Sequence, residues 1–171
     1  MFNRDFVINI FKIIVLIFLQ VMVFDQIEVF SKAQPYFYIV FVIFYPQFGN
    51  KFAFLLLSFL LGLGIDIAQQ TGGIHAFATV FVAFYRNRIL HLITGQTNDE
   101  YDRYNSYELS TLQWTFLSFV IILAHHIVLF LLENFKLAHI TEVLISALAS
   151  TVLTFIFIIF YKILFKRQNS I

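Results

Sequence analysis

Long apolar runs constrain this chain more than any other feature of its sequence. Three of them, at residues 6–24, 113–132 and 143–165, are almost free of charged residues, and a fourth, at 52–68, is interrupted only by Asp66. A helix needs about 20 mostly apolar residues to cross the hydrocarbon core of a bilayer, which is about 30 Å thick. The four runs therefore predict four transmembrane helices. We interpret the first as a retained helix, because no small-x-small cleavage pattern follows it.

Two shorter apolar runs leave two arrangements open. They are residues 35–46, bracketed by prolines, and residues 74–85, which stop at two arginines. A dozen helical residues reach only about 18 Å. Proline suits a first helical turn, and the second run can extend to residue 93 with its last turns at the interface. We therefore expect both to cross; the alternative is that both are re-entrant.

The expected fold class is all-α integral membrane, a compact bundle of about six transmembrane helices, two of them short. No linker or internal repeat divides the chain, so residues 1–171 form a single transmembrane domain. The loop at 94–112 is the longest polar stretch, and a capping box at 105–108 is expected to start the fifth helix. The helices are predicted at about 6–24, 35–46, 52–68, 74–93, 113–132 and 143–165.

Composition excludes several functional classes. Apolar residues make up 60% of the chain and charged residues 12%, against about 45–50% and about 25% in soluble domains. A net charge of +1 provides no basic field for nucleic acid. Without cysteine there is no disulfide, thiol nucleophile or thiolate-bound metal. No nucleotide-binding G-x-x-x-x-G-K-[ST] signature occurs, and we expect no cofactor.

The positions of Lys and Arg predict the orientation, because short cytoplasmic loops are enriched in positive charge. If all six runs cross with the N-terminus inside, only Lys32 and Lys136 of the eleven Lys and Arg residues lie outside. If the short runs are re-entrant, Lys51 joins them. Both arrangements place the termini and the 94–112 loop in the cytoplasm, but only the first places Asp66 near the outer face.

Asp66 is the first candidate for a functional residue, because a carboxylate inside an apolar helix is costly and is usually kept for a partner or a function. Gly62 lies one turn earlier on the same face and would let another helix approach closely. Gln69 and Gln70 prolong this polar stripe towards a predicted tight turn at 71–73. We expect Asp66 to be buried and partnered, at a cavity or a partner contact; the alternative is a solvated helix end.

His125 and His126 lie in the middle of the fifth predicted helix. Neighbouring helix positions point about 100° apart, so the two imidazoles cannot form the metal site that histidines at i and i+4 form. We expect no metal, and we expect at least one of them to make an interhelical hydrogen bond inside the bundle. Both are therefore candidates for a cavity or a partner contact. Glu133, about two turns further on, is interpreted as a solvated helix end.

Arg86 and Arg88 are the candidate basic residues of the membrane interface. Together with His91 they interleave with apolar residues of the fourth predicted helix. This pattern is typical of an interfacial helix that faces anionic lipid or a partner.

The order and lengths of these segments resemble those of MreD, the small integral membrane protein of the bacterial rod-shape system. The N-terminal helix ends in Leu-Gln-Val-Met-Val-Phe at 19–24 and is followed by a short aromatic helix at 35–46. The third helix closes on Gly-Leu-Gly-Ile-Asp at 62–66, a G-x-x-x-D pattern. A polar turn, a short fourth helix that ends in basic residues and the fifth helix with its His pair complete the match. The resemblance extends over essentially the whole chain.

This resemblance implies a non-enzymatic scaffold in the bacterial cytoplasmic membrane. MreD proteins are partnered with MreC and, through it, with MreB filaments, the RodA glycosyltransferase and its class B penicillin-binding transpeptidase. Their bundle also looks like the substrate-binding subunits of energy-coupling-factor vitamin transporters, which hold a cavity between the helices. Carried over by motif, Gly62 and Asp66 lie at that cavity or at a partner contact, and no catalytic residue is assigned.

Two other functions stay open at this point. The same architecture suits a substrate-binding subunit of a vitamin transporter, which would retain a small molecule. An intramembrane enzyme would use His125 or His126 with Asp66 or Glu133 as general acid and base. That requires these side chains to reach one substrate.

Overall fold

The computed structural model describes residues 4–29, 33–45, 50–95, 109–134 and 140–165. A 3-10 turn, Phe24–Gln26, follows the first helix, and a second, Phe37–Ile39, leads into the next. The six α-helices of the described residues are α1 (Arg4–Met22), α2 (Val40–Phe44), α3 (Lys51–Gln69), α4 (Ile74–Thr94), α5 (Thr111–Glu133) and α6 (Ile140–Leu164).

Four of these segments are long and apolar enough to cross a membrane, as the long sequence runs predict. They coincide with the four long apolar runs of the sequence and are Phe6–Gln26, Lys51–Gln69, Thr111–Glu133 and Ile140–Leu164. The fold therefore defines a multi-pass helical membrane protein.

Within the described residues the chain passes six times between the two ends of one bundle. Helices α3 to α6 pack as successive antiparallel neighbours. Gln69 at the end of α3 donates a hydrogen bond to Asp25 just beyond the end of α1. The two helices therefore end on the same side of the bundle, so α1 runs parallel to α3. The chain must therefore return to the opposite end before α3 begins, and it does so through residues 33–45.

The two ends of the bundle differ in charge. At the end where α3 and α5 begin, the Arg86 guanidinium lies over the Phe54 ring and Lys162 Nζ lies over the Trp114 ring. We call this the basic end; Lys51 and Arg88 belong to it as well. At the opposite end, the acidic end, the charged residues of the described part are Asp25, Glu28, Asp66, Glu133 and Glu142.

The fourth segment is one continuous helix of 21 residues, as predicted, and is about 31 Å long. Its polar residues His75, Thr79 and Arg86 are buried in the bundle. Phe77 and Phe84 on the outer face are more than half exposed. Helix α4 is thus slightly longer than α3, although it is not among the four helices that are apolar enough to cross a membrane.

The predicted helix at 35–46 is corrected by the structure. Of the described residues in this run, those at 37–44 are helical, which gives about 12 Å of helix. Ala33 to Tyr36 precede this helix as extended chain, and nearly every side chain of the segment is buried. A short helix cannot complete this pass, so the chain makes it partly in extended form inside the protein.

Side chains of the surrounding helices satisfy the backbone of this segment, as irregular backbone at membrane depth requires. Gln20 on α1 donates to the carbonyl of Pro35 at 3.0 Å and accepts from the amide of Tyr38 at 3.3 Å. On α6, Ser150 Oγ accepts from the amide of Gln34 at 3.1 Å, and Thr154 Oγ1 accepts from the amide of Tyr36 at 3.0 Å. Pro35 has no N–H and needs no acceptor.

Arg86 holds the other end of the same segment. Its Nη2 donates to the carbonyls of Ile43 at 3.2 Å and Tyr45 at 2.7 Å. The side chain is 2% exposed, so it lies inside the protein and not at the lipid interface that the sequence predicts for it. Arg88 is exposed, and its guanidinium lies over the rings of Phe84 and Tyr85.

Helix α5 begins at Thr111 with a capping box. Ser110 Oγ accepts from the amide of Gln113, and the Gln113 side chain accepts from the amide of Ser110, both at 3.1 Å. The capping box predicted at 105–108 lies outside the described residues.

Candidate functional site

Gly62 and Asp66 join α3 to the first turn of α4. A Cβ atom added at Gly62 would lie 2.5 Å from the Cα of Ala76 and 2.6 Å from the carbonyl oxygen of His75. Real Cβ atoms do not approach backbone this closely, so only glycine permits the contact. The glycine thus brings the start of α4 directly against α3, the close approach that the sequence predicts.

Asp66 uses this proximity to cap α4. Its carboxylate accepts from the amides of His75 at 3.0 Å and Ala76 at 2.8 Å, and from Thr71 Oγ1 at 2.5 Å. The side chain is 4% exposed, so Asp66 is buried and partnered. The residue at the N-cap position is Gly73, which has no side chain to cap the helix. Asp66 therefore supplies the acceptors and the negative charge that a helix N-terminus favours.

The tight turn predicted after the third helix is present. Gln70, Gly72 and Gly73 have φ angles of 59°, 70° and 103°, in the left-handed region that glycine adopts without strain. This turn reverses the chain so that α4 returns along α3 with its first turn beside Asp66.

A hydrogen-bonded group of aromatic and imidazole side chains fills the bundle next to this cap. The Tyr38 hydroxyl lies 2.9 Å from His75 Nδ1 and 2.9 Å from His125 Nε2. A hydroxyl has one proton, so Tyr38 donates to one imidazole and accepts from the other. His75, Tyr38 and His125 thus form one chain of hydrogen bonds between α4, the 33–45 segment and α5.

His126 makes a separate interhelical hydrogen bond to α6. Its Nδ1 lies 2.9 Å from Thr151 Oγ1, which donates its own proton to the carbonyl of Ala147 at 2.6 Å. Thr151 must therefore accept from His126, which fixes the Nδ1–H tautomer of a neutral ring. His126 Nε2 and His125 Nδ1 make no hydrogen bond among the described residues.

A pocket of about 300 Å³ opens at the acidic end, above this group. Residues of α3, α4 and α5 line it together with residues that follow α1 and precede α2. The lining residues are Asp25, Gln34, Tyr36, Gln69, Thr71, Ile74, His75, Leu129 and Glu133.

None of the four predicted site residues is in this lining. Gly62 and Asp66 lie behind it in the α3–α4 contact, and His125 and His126 lie deeper in the bundle, where both make interhelical hydrogen bonds. The hydrogen bonds of the described residues do not bring Asp66 and either imidazole of this pair together. No group of three or more His, Asp or Glu residues suited to a metal ion occurs in the described ranges.

Sequence reasoning missed most residues that build the site. Tyr36, Tyr38 and Gln20 lie in apolar runs whose length dominates the sequence signal, and His75 follows two glycines at a helix start. Their positions in the sequence could have identified them. Each is a polar residue within or beside an apolar run, where a polar residue is costly and is usually kept for a partner or a function. Compared with protein-family models, curated proteins and solved structures, the chain gives no match.

Proposed function

We propose that this protein is a non-enzymatic membrane scaffold of the bacterial cell-elongation system, similar to MreD, that binds MreC. Through MreC it would help to position RodA, the class B penicillin-binding transpeptidase and the MreB filaments for lateral peptidoglycan synthesis. The proposal assigns no catalytic residue.

The observation that carries this proposal is the use of the G-x-x-x-D motif. The sequence resemblance includes Gly62 and Asp66, and in the structure this pair fastens α3 to α4. All three hydrogen bonds of the carboxylate are internal. A motif that consolidates the bundle in this way suits a protein whose task is to hold a fixed shape for its partners.

Helix α1 supplies a surface for a partner helix. It contacts mainly α3 and the segments that follow it, and its outward residues include Phe11 and Phe18, which are 67% and 61% exposed. In a bilayer such a face contacts lipid or another transmembrane helix, and helix association there depends on close packing. We assign this face to the transmembrane part of MreC.

The proposed location is the bacterial cytoplasmic membrane, with all six passes crossing it. The basic end, where α1 begins and α6 ends, lies in the cytoplasm, since positive charge is retained there. Arg88 then lies at the cytoplasmic interface, and the pocket opens to the other side.

A tag after Ile171 tests the proposal. The protein is purified from its native membrane in mild detergent, and the proteins that accompany it are identified by mass spectrometry. MreC, RodA or the transpeptidase is the expected result. Absence of every wall-synthesis component would overturn the scaffold function.

The pocket favours a second candidate, the substrate-binding subunit of an energy-coupling-factor vitamin transporter. Its volume of about 300 Å³ lies at the lower end of small-molecule sites. The same purification separates the two functions, since a transporter subunit would be accompanied by an ATPase pair and a transmembrane coupling protein. It would also retain a stoichiometric small molecule.

A further inference from the structure

The pocket at the acidic end has an uncompensated negative charge among the described residues. Two of its nine lining residues are carboxylates, Asp25 and Glu133, and none is Lys or Arg. Glu133 makes no hydrogen bond or ion pair to any described residue. A cleft lined by charge of one sign raises the local concentration of ions of the opposite sign.

The Asp25 carboxylate is held in place by two amides. Gln20 Nε2 donates to Asp25 Oδ1 at 2.8 Å, and Gln69 Nε2 donates to Asp25 Oδ2 at 2.7 Å. Both oxygens of the carboxylate therefore act as acceptors. Amides orient this charge without neutralising it.

His75 adds an unpartnered polar atom to the pocket. The side chain is 3% exposed and lines the pocket. Its Nδ1 is taken by Tyr38, which lies behind the lining, and its Nε2 makes no hydrogen bond to the described residues. This nitrogen is not one of the fully buried unpaired atoms of the described residues, so it is accessible from the pocket and can bond a ligand there.

We propose that this pocket binds a small organic cation, a polar molecule with an ammonium group, that enters from the acidic end. The ammonium group lies between Asp25 and Glu133, and His75 Nε2 and the amides of Gln34 and Gln69 meet its polar atoms. This binding site goes beyond the scaffold function and does not depend on it.

Other ligand classes fit these residues less well. An anion would face two carboxylates, and no Lys or Arg among the described residues lines the pocket to compensate them. A purely apolar molecule would leave the carboxylates and His75 Nε2 desolvated and unpaired, which costs free energy. Only Ile74 and Leu129 offer aliphatic surface.

The absence of cysteine from the chain permits a direct test of charge selectivity. Ile74→Cys places the only thiol in the pocket lining, and Thr141→Cys places it on exposed surface at the same end of the bundle. Each variant, purified in uncharged detergent, is treated with the cationic trimethylammonium-ethyl and the anionic sulfonatoethyl methanethiosulfonate. At each position, the labelling rate with the cationic reagent is divided by the rate with the anionic reagent. The quotient at position 74 is then divided by the quotient at position 141 to give a normalised ratio, which removes the preference of the thiolate itself for the cationic reagent.

We expect the normalised ratio to be at least about tenfold in favour of the cation. Asp25→Asn and Glu133→Gln should each lower it, and the double variant should bring it close to one. Glu28→Gln, an exposed carboxylate at the same end outside the lining, is the matched control and should leave it unchanged. Gln34→Cys replaces Ile74→Cys if that variant does not fold.

A ratio near one at the pocket position would overturn the proposal. So would a raised ratio that persists when both carboxylates are neutralised, because the selectivity would then arise elsewhere. Since the labelling uses this chain alone, its outcome is independent of whether MreC binds.

Discussion

At the scale of single residues, Gly62 and Asp66 together hold the start of α4 against α3. The glycine removes the side chain that would hold α4 away from α3, and the carboxylate then reaches the amides of the first turn of α4. The cap by Asp66 depends on Gly62, because a bulkier residue at position 62 would move the amides of α4 beyond the reach of the Asp66 carboxylate.

Replacing Asp66 should separate the role of its charge from that of its oxygens. Asp66→Ala leaves two buried amides without acceptors and should lower the free energy of unfolding by about 3 kcal/mol. Asp66→Asn keeps one acceptor oxygen and should lose about 1 kcal/mol. The measurement is unfolding by denaturing detergent in mixed micelles, with Glu28→Gln as the exposed control. Equal stability of the Ala and Asn variants would contradict the capping role.

The two glycines of α3 offer a matched comparison. Gly62→Ala places its methyl group against backbone of α4 and should cost about 1–3 kcal/mol of stability. Gly64→Ala meets only the flexible end of the Ile17 side chain, which can turn aside, and it gains helix propensity. Thermal unfolding in detergent should therefore show a large decrease for the first variant and little change for the second. The reverse order would show that the α3–α4 contact is not the constraint.

The sequence predicts that Asp66 is buried and that Gly62 lies on its face, but not which groups Asp66 binds. Its main partners are backbone amides of α4, which leave no side-chain pattern to read. For Thr71 the sequence predicts only that it belongs to a tight turn, not that its hydroxyl binds Asp66. The same reasoning applies to Arg86, since the carbonyls of Ile43 and Tyr45 that it binds have no sequence signature.

At the scale of elements, the 33–45 segment connects the two ends of the helical bundle without forming a full helix. Its extended part has amides that no helix satisfies, and the side chains of Gln20, Ser150 and Thr154 replace the missing partners. Burial by the other helices keeps this backbone away from lipid, where unpaired backbone groups are not tolerated.

Thr154→Val should reveal this dependence. Valine has nearly the same shape but cannot accept from the amide of Tyr36, and an unsatisfied buried donor costs about 1–3 kcal/mol. Amide hydrogen exchange of the 33–45 segment should also become faster. Thr115→Val is the control, because the Thr115 hydroxyl bonds only to its own helix at Thr111. If both variants are equally stable, α6 does not anchor the segment.

The sequence predicts the long helices well and this segment poorly. A run of about twenty apolar residues has only one low-energy form in a bilayer. The run at 35–46 is too short for that rule, so its form depends on partners such as Gln20 and Thr154 that lie more than a dozen residues away along the chain. Helix α5 begins at another capping box, Ser110 with Gln113, and the capping box predicted at 105–108 lies outside the described residues.

At the scale of the whole molecule, the arrangement of charge predicts the orientation. Lys51, Arg88 and Lys162 lie at the basic end, and Asp25, Glu28 and Glu133 at the acidic end. Helix α1 begins and helix α6 ends at the basic end. The pocket opens at the other end of the bundle, the acidic end.

Single cysteines test this topology. We expect Asn134→Cys, at the acidic end, to react with an impermeant thiol reagent added outside intact cells. Asn98→Cys, in the loop predicted to be cytoplasmic, should react only after the membrane is made permeable. The predicted topology has one crossing, helix α5, between the two positions. Labelling of both positions from the same side of the membrane would contradict it.

The central claim, that this protein is a scaffold that binds MreC, is tested most directly by reconstitution. The purified protein and purified MreC from the same organism are combined in nanodiscs, and the mass of the assembly is measured by native mass spectrometry. The account predicts a stable complex of defined stoichiometry that Phe11→Ala and Phe18→Ala on α1 weaken and that Phe77→Ala, on the exposed face of α4, leaves intact. Separate particles under conditions in which both proteins are folded would contradict it.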